Sequence, residues 1–382
     1  MPWKEVSAMS EKREFVALAT MPGVNFRALC RRFGVSPTTG YKWIGRYRDG
    51  GEAALAEHSR RPHHSPKRVE SEVEDLVLEL RDRYPFWGAR KLRQWLIRKG
   101  HTMPAISTVH AILRRHDRIP PEAGEICRPM CRFEREEPND LWQMDFKGDF
   151  RLGRGGRCYP LTILDDHSRF SPCVQACTDQ CHDGVQNALS RTFERYGLPW
   201  SILADHGPPW GDDRSSPHTR LTIWLLRLDV RVIHGRPYHP QTQGKEERFN
   251  RTLKDEVLRG RPPPSDLASA QAAFDRFRER YNFERPHESL DDEPPIIRYR
   301  PSQRPMPARL EPLEYPEGFV LRRVNGARIN FKGRRWRLGK PFEGQLLGLR
   351  PEAEDGLWSV YLGRHPVAKF DLRAQQVKMI IK

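Results

Sequence analysis

Trp142-Gln143-Met144-Asp145-Phe146-Lys147-Gly148 alternates large apolar side chains with polar ones. Trp142, Met144 and Phe146 share one parity and Gln143, Asp145 and Lys147 the other, the pattern of a strand with one face in a core. Asp145 is therefore presented on the polar face. Strands are expected next near residues 157–165 and 169–178, then a helix Asp183–Tyr196, a strand Trp200–Ala204, a helix Thr219–Leu228 and a short strand Val230–His234. Strands that alternate with helices in this way predict an α/β domain.

Two more acids stand in equally distinctive contexts. Asp205 directly follows the strand Trp200-Ser201-Ile202-Leu203-Ala204, and the carboxyl end of a strand is where α/β sheets place ligands. Glu247 lies in Gln243-Gly244-Lys245-Glu246-Glu247-Arg248, where a helix begins after the extended Arg236-Pro237-Tyr238-His239-Pro240. Phe249, Leu253 and Val257 form that helix's apolar stripe, with Asn250 and Lys254 on the side of Glu247. Glu246 faces nearer the stripe, but the phase of a first turn separates the two glutamates only weakly. Three carboxylates suit Mg²⁺ or Mn²⁺, and two such ions about 3.5–4 Å apart can clamp both oxygens of an in-line phosphoryl displacement.

The chain's charge names the kind of substrate. Its formal net charge is +16 over 382 residues, which favours a nucleic acid or another polyanion as partner. A length of 382 residues predicts two to four domains, and 37% hydrophobic residues suffice for their cores. No stretch is apolar enough for a membrane helix, and Met1-Pro2-Trp3-Lys4-Glu5-Val6 lacks a secretory apolar run, so a cytoplasmic site of action is expected. Seven cysteines read as free thiols. Cys127 with Cys131, or Cys173, Cys177 and Cys181 with His182, lack the two-residue gap of a zinc knuckle, and Cys173 and Cys177 read as small core residues of a strand.

Helices flank the α/β region on one side. Within residues 10–60, Leu29 and Phe33 line a helix, Gly34 permits a turn, and Ser36 can cap a second helix with Pro37 at its first position. Tyr41, Trp43 and Ile44 are its expected apolar anchors, and this second helix of a helix-turn-helix unit would enter a major groove, with Lys42 and Arg46 as candidate DNA contacts. A linker rich in His, Arg and Pro, Glu57 to Pro66, leads to a second such unit at 67–118, where Trp87 and Trp95 read as core. On the other side, prolines from Pro294 to Pro316 predict an extended linker, followed by a small basic β-barrel-like domain at 318–376. Its Arg334 and Arg335, among Arg322, Arg323, Arg328, Lys332 and Arg337, could track phosphates or deter strand pairing at an edge.

The central region resembles the integrase core of bacterial insertion-sequence transposases, relatives of retroviral integrases. The resemblance rests on Asp145-Phe146-Lys147-Gly148, Leu164-Asp165-Asp166-His167-Ser168-Arg169, Asp205-His206-Gly207, Tyr238 to Lys245, Glu247-Arg248-Phe249, and Tyr281-Asn282 with Arg285-Pro286-His287. It implies a ribonuclease H-like core at 139–298, with Asp145, Asp205 and Glu247 as a metal-binding catalytic triad for two Mg²⁺ or Mn²⁺ ions. It further implies that Lys254 contacts the DNA end, beside Asn250 and Arg248 as further candidate contacts. Water would cut the element's end, and the released 3′-hydroxyl would then attack target DNA. The implied partners are the terminal inverted repeats, target DNA and further copies of the chain. His206, Glu246 and the long segment Trp210–His218 depart from the family pattern. Asp165 and Asp166 read as a structural turn ahead of Ser168 and Arg169. Competing readings are a DNA-binding regulator that has lost catalysis and a ribonuclease H-type nuclease.

Overall fold

Asn25 and Ser36 each start a helix by accepting a backbone N–H three residues on, from Ala28 and Thr39 respectively. They open α2 (Phe26–Arg32) and α3 (Pro37–Gly50), which pack with α1 (Ala8–Ala19) around Phe15, Val16, Leu29, Cys30, Trp43, Ile44 and Leu55. In the computed structural model, residues 8–57, 69–119, 134–205, 207, 209–210, 218–234 and 244–380 are described. The linker expected at 57–66 lies almost wholly outside them, as do Cys127, Cys131 and His206. Two compact units divide the chain, Met1–Arg68 and Val69–Lys382. Gly40 lets α3 approach closely, since a Cβ there would come within 2.8 Å of the Phe15 and Phe26 rings. Tyr41 is not an anchor. Gly40, Trp43 and Ile44 hold the core face, and Tyr41, about 100° round from Gly40, is exposed with its ring 4.3 Å from that of Phe26.

The second unit begins with α4 (Ser71–Arg83), α5 (Ala89–Arg98) and α6 (Ile106–Arg115). Val77, Leu80, Leu92, Leu96, Val109, Ile112 and Trp87 fill their shared core, while Trp95 lies at its margin. Tyr84 stacks on Trp87 at 4.3 Å. This bundle is docked against the α/β region: Trp87 Nε1 donates to Glu256 at 3.1 Å, and Arg90 pairs with Asp292 at 2.7 Å.

The central sheet comprises β1 (Trp142–Phe146), β2 (Phe150–Arg151), β3 (Arg157–Asp165), β4 (Cys173–Cys177), β5 (Ser201–Ala204) and β6 (Arg231–His234). Their order is β2-β3-β1-β5-β6, with β4 also on β3. The β1–β3 and β3–β4 pairs are antiparallel, whereas β1–β5 and β5–β6 are parallel. Trp142 and Met144 face α7 (His182–Tyr196) and α8 (Arg220–Arg227), joined there by Phe193, Ile202 and Leu225. Across the sheet, α9 (Gly244–Leu253) and α10 (Leu267–Phe283) pack Phe249, Leu253, Phe274 and Phe277 against Leu164 and Val174. Helices on both faces explain why every residue of β5 is buried. They also bury Gln143, which parity alone had placed on an open polar side.

The proline-rich stretch is no free linker. Tyr299 stacks on Phe170 at 3.9 Å and 4°, Ile296 and Met306 join the core, and Arg304 donates to the carbonyls of Pro199 and Asp229. Prolines stiffen this stretch, and the interleaved Tyr299, Ile296 and Met306 give it apolar surface to bury. Beyond it come β7 (Val320–Arg323), β8 (Arg328–Phe331), β9 (Arg334–Arg337), β10 (Leu346–Pro351), β11 (Leu357–Leu362), β12 (His365–Asp371) and β13 (Gln376–Met379). They form an antiparallel sheet β13-β12-β11-β10-β7 and a separate β8–β9 ribbon. Trp336 stacks on Phe370 at 4.7 Å, and Ile223 of α8 enters the same core.

Candidate active site

Parallel pairing sets the first two acids side by side. Trp142 pairs with Ile202 and Gln143 with Leu203, and the same register carried two steps on places Asp145 beside Asp205, on strands about 4.8 Å apart. On its other side Asp145 pairs with Thr162 of β3. Burial pushes the Asp145 carboxyl up to about 6, and the charges of Asp205 and Glu247 push in the same direction, against a hydrogen bond from the Phe146 N–H. Asp205 and Glu247 therefore both act on Asp145 through space.

Glu247 is carried by α9, which is tied to the strand of Asp145. Asn250 Nδ2 donates to Asp145 Oδ2 at 3.2 Å, and Thr162 Oγ1 lies 3.1 Å from both the Asn250 side-chain oxygen and the Asp145 carbonyl. The helix phase now separates the two glutamates: Glu247 is exposed, while Glu246 is 2% exposed beneath it. Neither Glu246 oxygen has a hydrogen-bond partner within normal distance. Burial pushes this carboxyl up to about 8; Thr162 opposes the rise and the charge of Asp145 adds to it. Asp205 and Glu247 are open to solvent, and Asp145 is half-buried. Among the described residues, no three His, Cys, Asp or Glu side chains converge closely enough to hold a metal ion.

The remaining candidates separate by exposure. Arg248 and Lys254 are exposed on α9 and on the π-helical turn Lys254–Leu258 that continues it. Asn250, read from the sequence as a DNA contact, is buried with its amide spent on Asp145 and Thr162, because three residues past Glu247 the helix face has turned toward β1. Lys42 is exposed and Arg46 half-exposed on α3, their charges 5.5 and 5.0 Å from the Trp43 ring centre. Arg334 and Arg335 are exposed on the β8–β9 ribbon.

Asp165 caps its own turn, accepting from the Ser168 N–H and hydroxyl and from the Asn139 N–H. Asn282 holds Ser171 through two hydrogen bonds, and Arg285 pairs with Glu256 at 2.9 Å. Lys147 went unremarked in the sequence as a phosphate contact. Burial and the nearby Lys254 charge both lower its pKa, so two lysines lie close together just past the strand that carries Asp145 and the helix that carries Glu247. Its signal was the shared parity with Asp145.

Sequence families match most of this architecture. An integrase core domain matches residues 135–240 and a second integrase core family residues 228–295. A helix-turn-helix domain matches 11–63, a homeodomain-like domain 39–113, and the C-terminal domain of IS481 family transposases 320–378. A 31.7 kDa protein of insertion element IS407 from Burkholderia multivorans is 27% identical over 63% of this chain and 84% of its own length. A 39.2 kDa protein of insertion element IS476 from Xanthomonas euvesicatoria is 31% identical over 41% of this chain and 43% of its own. Among solved structures, a chain of the simian T-cell lymphotropic virus intasome, in complex with PP2A regulatory subunit B56 gamma, aligns at a TM-score of 0.39 with 14% identity. The alignment covers 80% of this chain and 99% of that one.

Proposed function

We infer the chemistry from one premise: the chain is a bacterial insertion-sequence transposase with an integrase-type core. Asp145, Asp205 and Glu247 are its catalytic acids, and the observation that carries this is the register of β1 against β5 together with the Asn250–Asp145 hydrogen bond, which gathers three separate chain segments at one end of the sheet. Three all-oxygen carboxylate donors, of which Asp145 is raised in pKa by burial first and by the charges of Asp205 and Glu247 in addition, fit a hard divalent cation. Mg²⁺ or Mn²⁺, one ion or a pair, would supply positive charge at the attacking and leaving oxygens of the phosphodiester. A cation held by these acids would offset the negative charge that Asp205 and Glu247 place on Asp145.

The chain's own groups do the rest. Asn250 fixes the orientation of Asp145 by donating to one of its carboxylate oxygens. Lys254, Arg248 and Lys147 hold phosphates of the element end beside the acids, and Arg334 and Arg335 bind phosphates at the C-terminal ribbon. Lys42 and Arg46 present α3 to the terminal repeat. Cleavage leaves a 3′-hydroxyl, which then attacks target DNA, and joining two ends calls for at least two copies of the chain in a closed assembly. Asp145→Asn, Asp205→Asn and Glu247→Gln are each expected to abolish strand transfer in Mn²⁺ while retaining a gel shift on element-end DNA. Strand transfer at the wild-type rate by any one of the three removes that residue from the site.

A further inference from the structure

Asp166 has no exposed surface, and its carboxylate is not spent on its own turn, a task that Asp165 performs. Its Oδ1 accepts from Gln143 Nε2 at 2.7 Å and from Lys245 Nζ at 2.5 Å, and its Oδ2 accepts from the Arg135 N–H at 2.8 Å. Lys245 Nζ also reaches the Asp166 carbonyl at 3.2 Å. The two side chains that meet on Oδ1 come from the elements that matter: Gln143 stands two residues before Asp145 on β1, and Lys245 two residues before Glu247 on α9. On a strand, positions two apart share a face, so Gln143 and Asp145 point toward the same helix. In a helix they point apart, so Lys245 acts on Glu247 through the backbone of their common first turn.

A second tie lies further along α9, where Asn250 bonds Asp145. Residues 245 and 250 are about 7.5 Å apart along a helix axis, with Glu247 between them. A helix held at one point can still rotate and slide about it, whereas two ties fix both freedoms. We propose that Asp166 is a positioning residue that sets the separation of Asp145 and Glu247 by clamping β1 to the first turn of α9 through Gln143 and Lys245, an inference resting on the reading of those two acids as site residues.

The test uses the full chain and measures hydrogen exchange without metal, Mn²⁺ affinity by electron paramagnetic resonance, and strand transfer on element-end DNA. Asp166→Asn keeps the shape and removes the charge. It is expected to speed amide exchange over residues 244–253 at least about tenfold, the worth of one lost charged hydrogen bond, with α7 and α10 unchanged. Mn²⁺ affinity is expected to fall about 10- to 100-fold, with strand transfer partly recovered at saturating Mn²⁺ and the element-end gel shift intact. Should Asp166→Asn fail to fold, Asp166→Asn/Lys245→Gln, which leaves no lone buried charge, carries the same measurements. Wild-type exchange over 244–253, or faster exchange spread evenly through the sheet, overturns the proposal. Failure of the underlying site reading looks different: Mn²⁺ affinity would then be indifferent to Asp145→Asn and Glu247→Gln, while local exchange in α9 would still report on the clamp.

Discussion

Glu246 and Glu247 are identical side chains one residue apart, and one helical step of about 100° gives them opposite surroundings. Glu247 meets solvent and acts through space on Asp145; Glu246 lies under α9 with its oxygens unbonded and its pKa moved by burial from 4.5 to about 8. The consequence for stability has a definite sign. Between those two values the folded chain holds a proton that the unfolded chain releases, so this residue's contribution is fully present below the unfolded value and is lost as pH rises through the folded one. Glu246→Gln removes the titration. In urea unfolding, the variant is expected to gain on the wild type by about 4 kcal/mol between pH 5 and pH 9. A difference between the two proteins that stays constant over that range would show that the buried group does not titrate as described.

At the scale of elements, α9 shows what the sequence discloses and what it withholds. Its start near Gly244 and its stripe of Phe249, Leu253 and Val257 were readable, because apolar positions four apart mark a helix face. The strand carrying Asp145, the strand ending at Asp205 and the helix carrying Glu247 were legible for similar local reasons. What was not legible depends on partners far away in the chain. A spacing of four exceeds 3.6 residues per turn, and at Lys254–Leu258 the helix widens into a π turn, so that Glu256 and Val257 both face inward. No local pattern foretells that Glu256 will meet Arg280 at 2.8 Å, Arg285 at 2.9 Å and Trp87 of the helical bundle at 3.1 Å. Asn250 was misassigned for a related reason: its polarity suggested a DNA contact, whereas β1 supplied a buried partner. Burial would raise the pKa of Glu256, but Arg285 and Arg280 outweigh it and hold the carboxyl low, so its stabilisation is present above the ordinary value and lost as pH falls through the lowered one. Glu256→Gln strands two arginines against the bundle and is expected to cost about 3–5 kcal/mol in urea unfolding at pH 7. A cost below about 1 kcal/mol, the level of an exposed pair, would mean that this junction is not held electrostatically.

At the scale of the whole molecule, residues 69–380 owe their unity to segments that look like connectors. The strand-rich carboxy-terminal region was readable from alternation, including the Arg328–Phe331 and Arg334–Arg337 ribbon, but its attachment was not. Ile223 of α8 enters its core, Arg304 of the proline-rich stretch binds the carbonyls of Leu228 and Asp229, and Asp229 in turn bonds His365 of β12 at 2.9 Å. His218 adds a contact that is sensitive to pH. Its ring lies 5.3 Å from Phe342 in an edge-on arrangement, and burial brings its pKa from 6.5 down to about 4; backbone groups at Val367 and Ile380 oppose that fall, and His234 adds to it. Here the unfolded chain binds the extra proton, so stability rises with pH across that interval and is lost as pH falls through the folded value. His218→Gln, which does not titrate, is therefore expected to lose about 2–3 kcal/mol less than the wild type between pH 7 and pH 4 in urea unfolding. Equal acid losses in the two proteins would place the pH sensitivity of this junction elsewhere, with His365 beside Asp229 the next residue to replace.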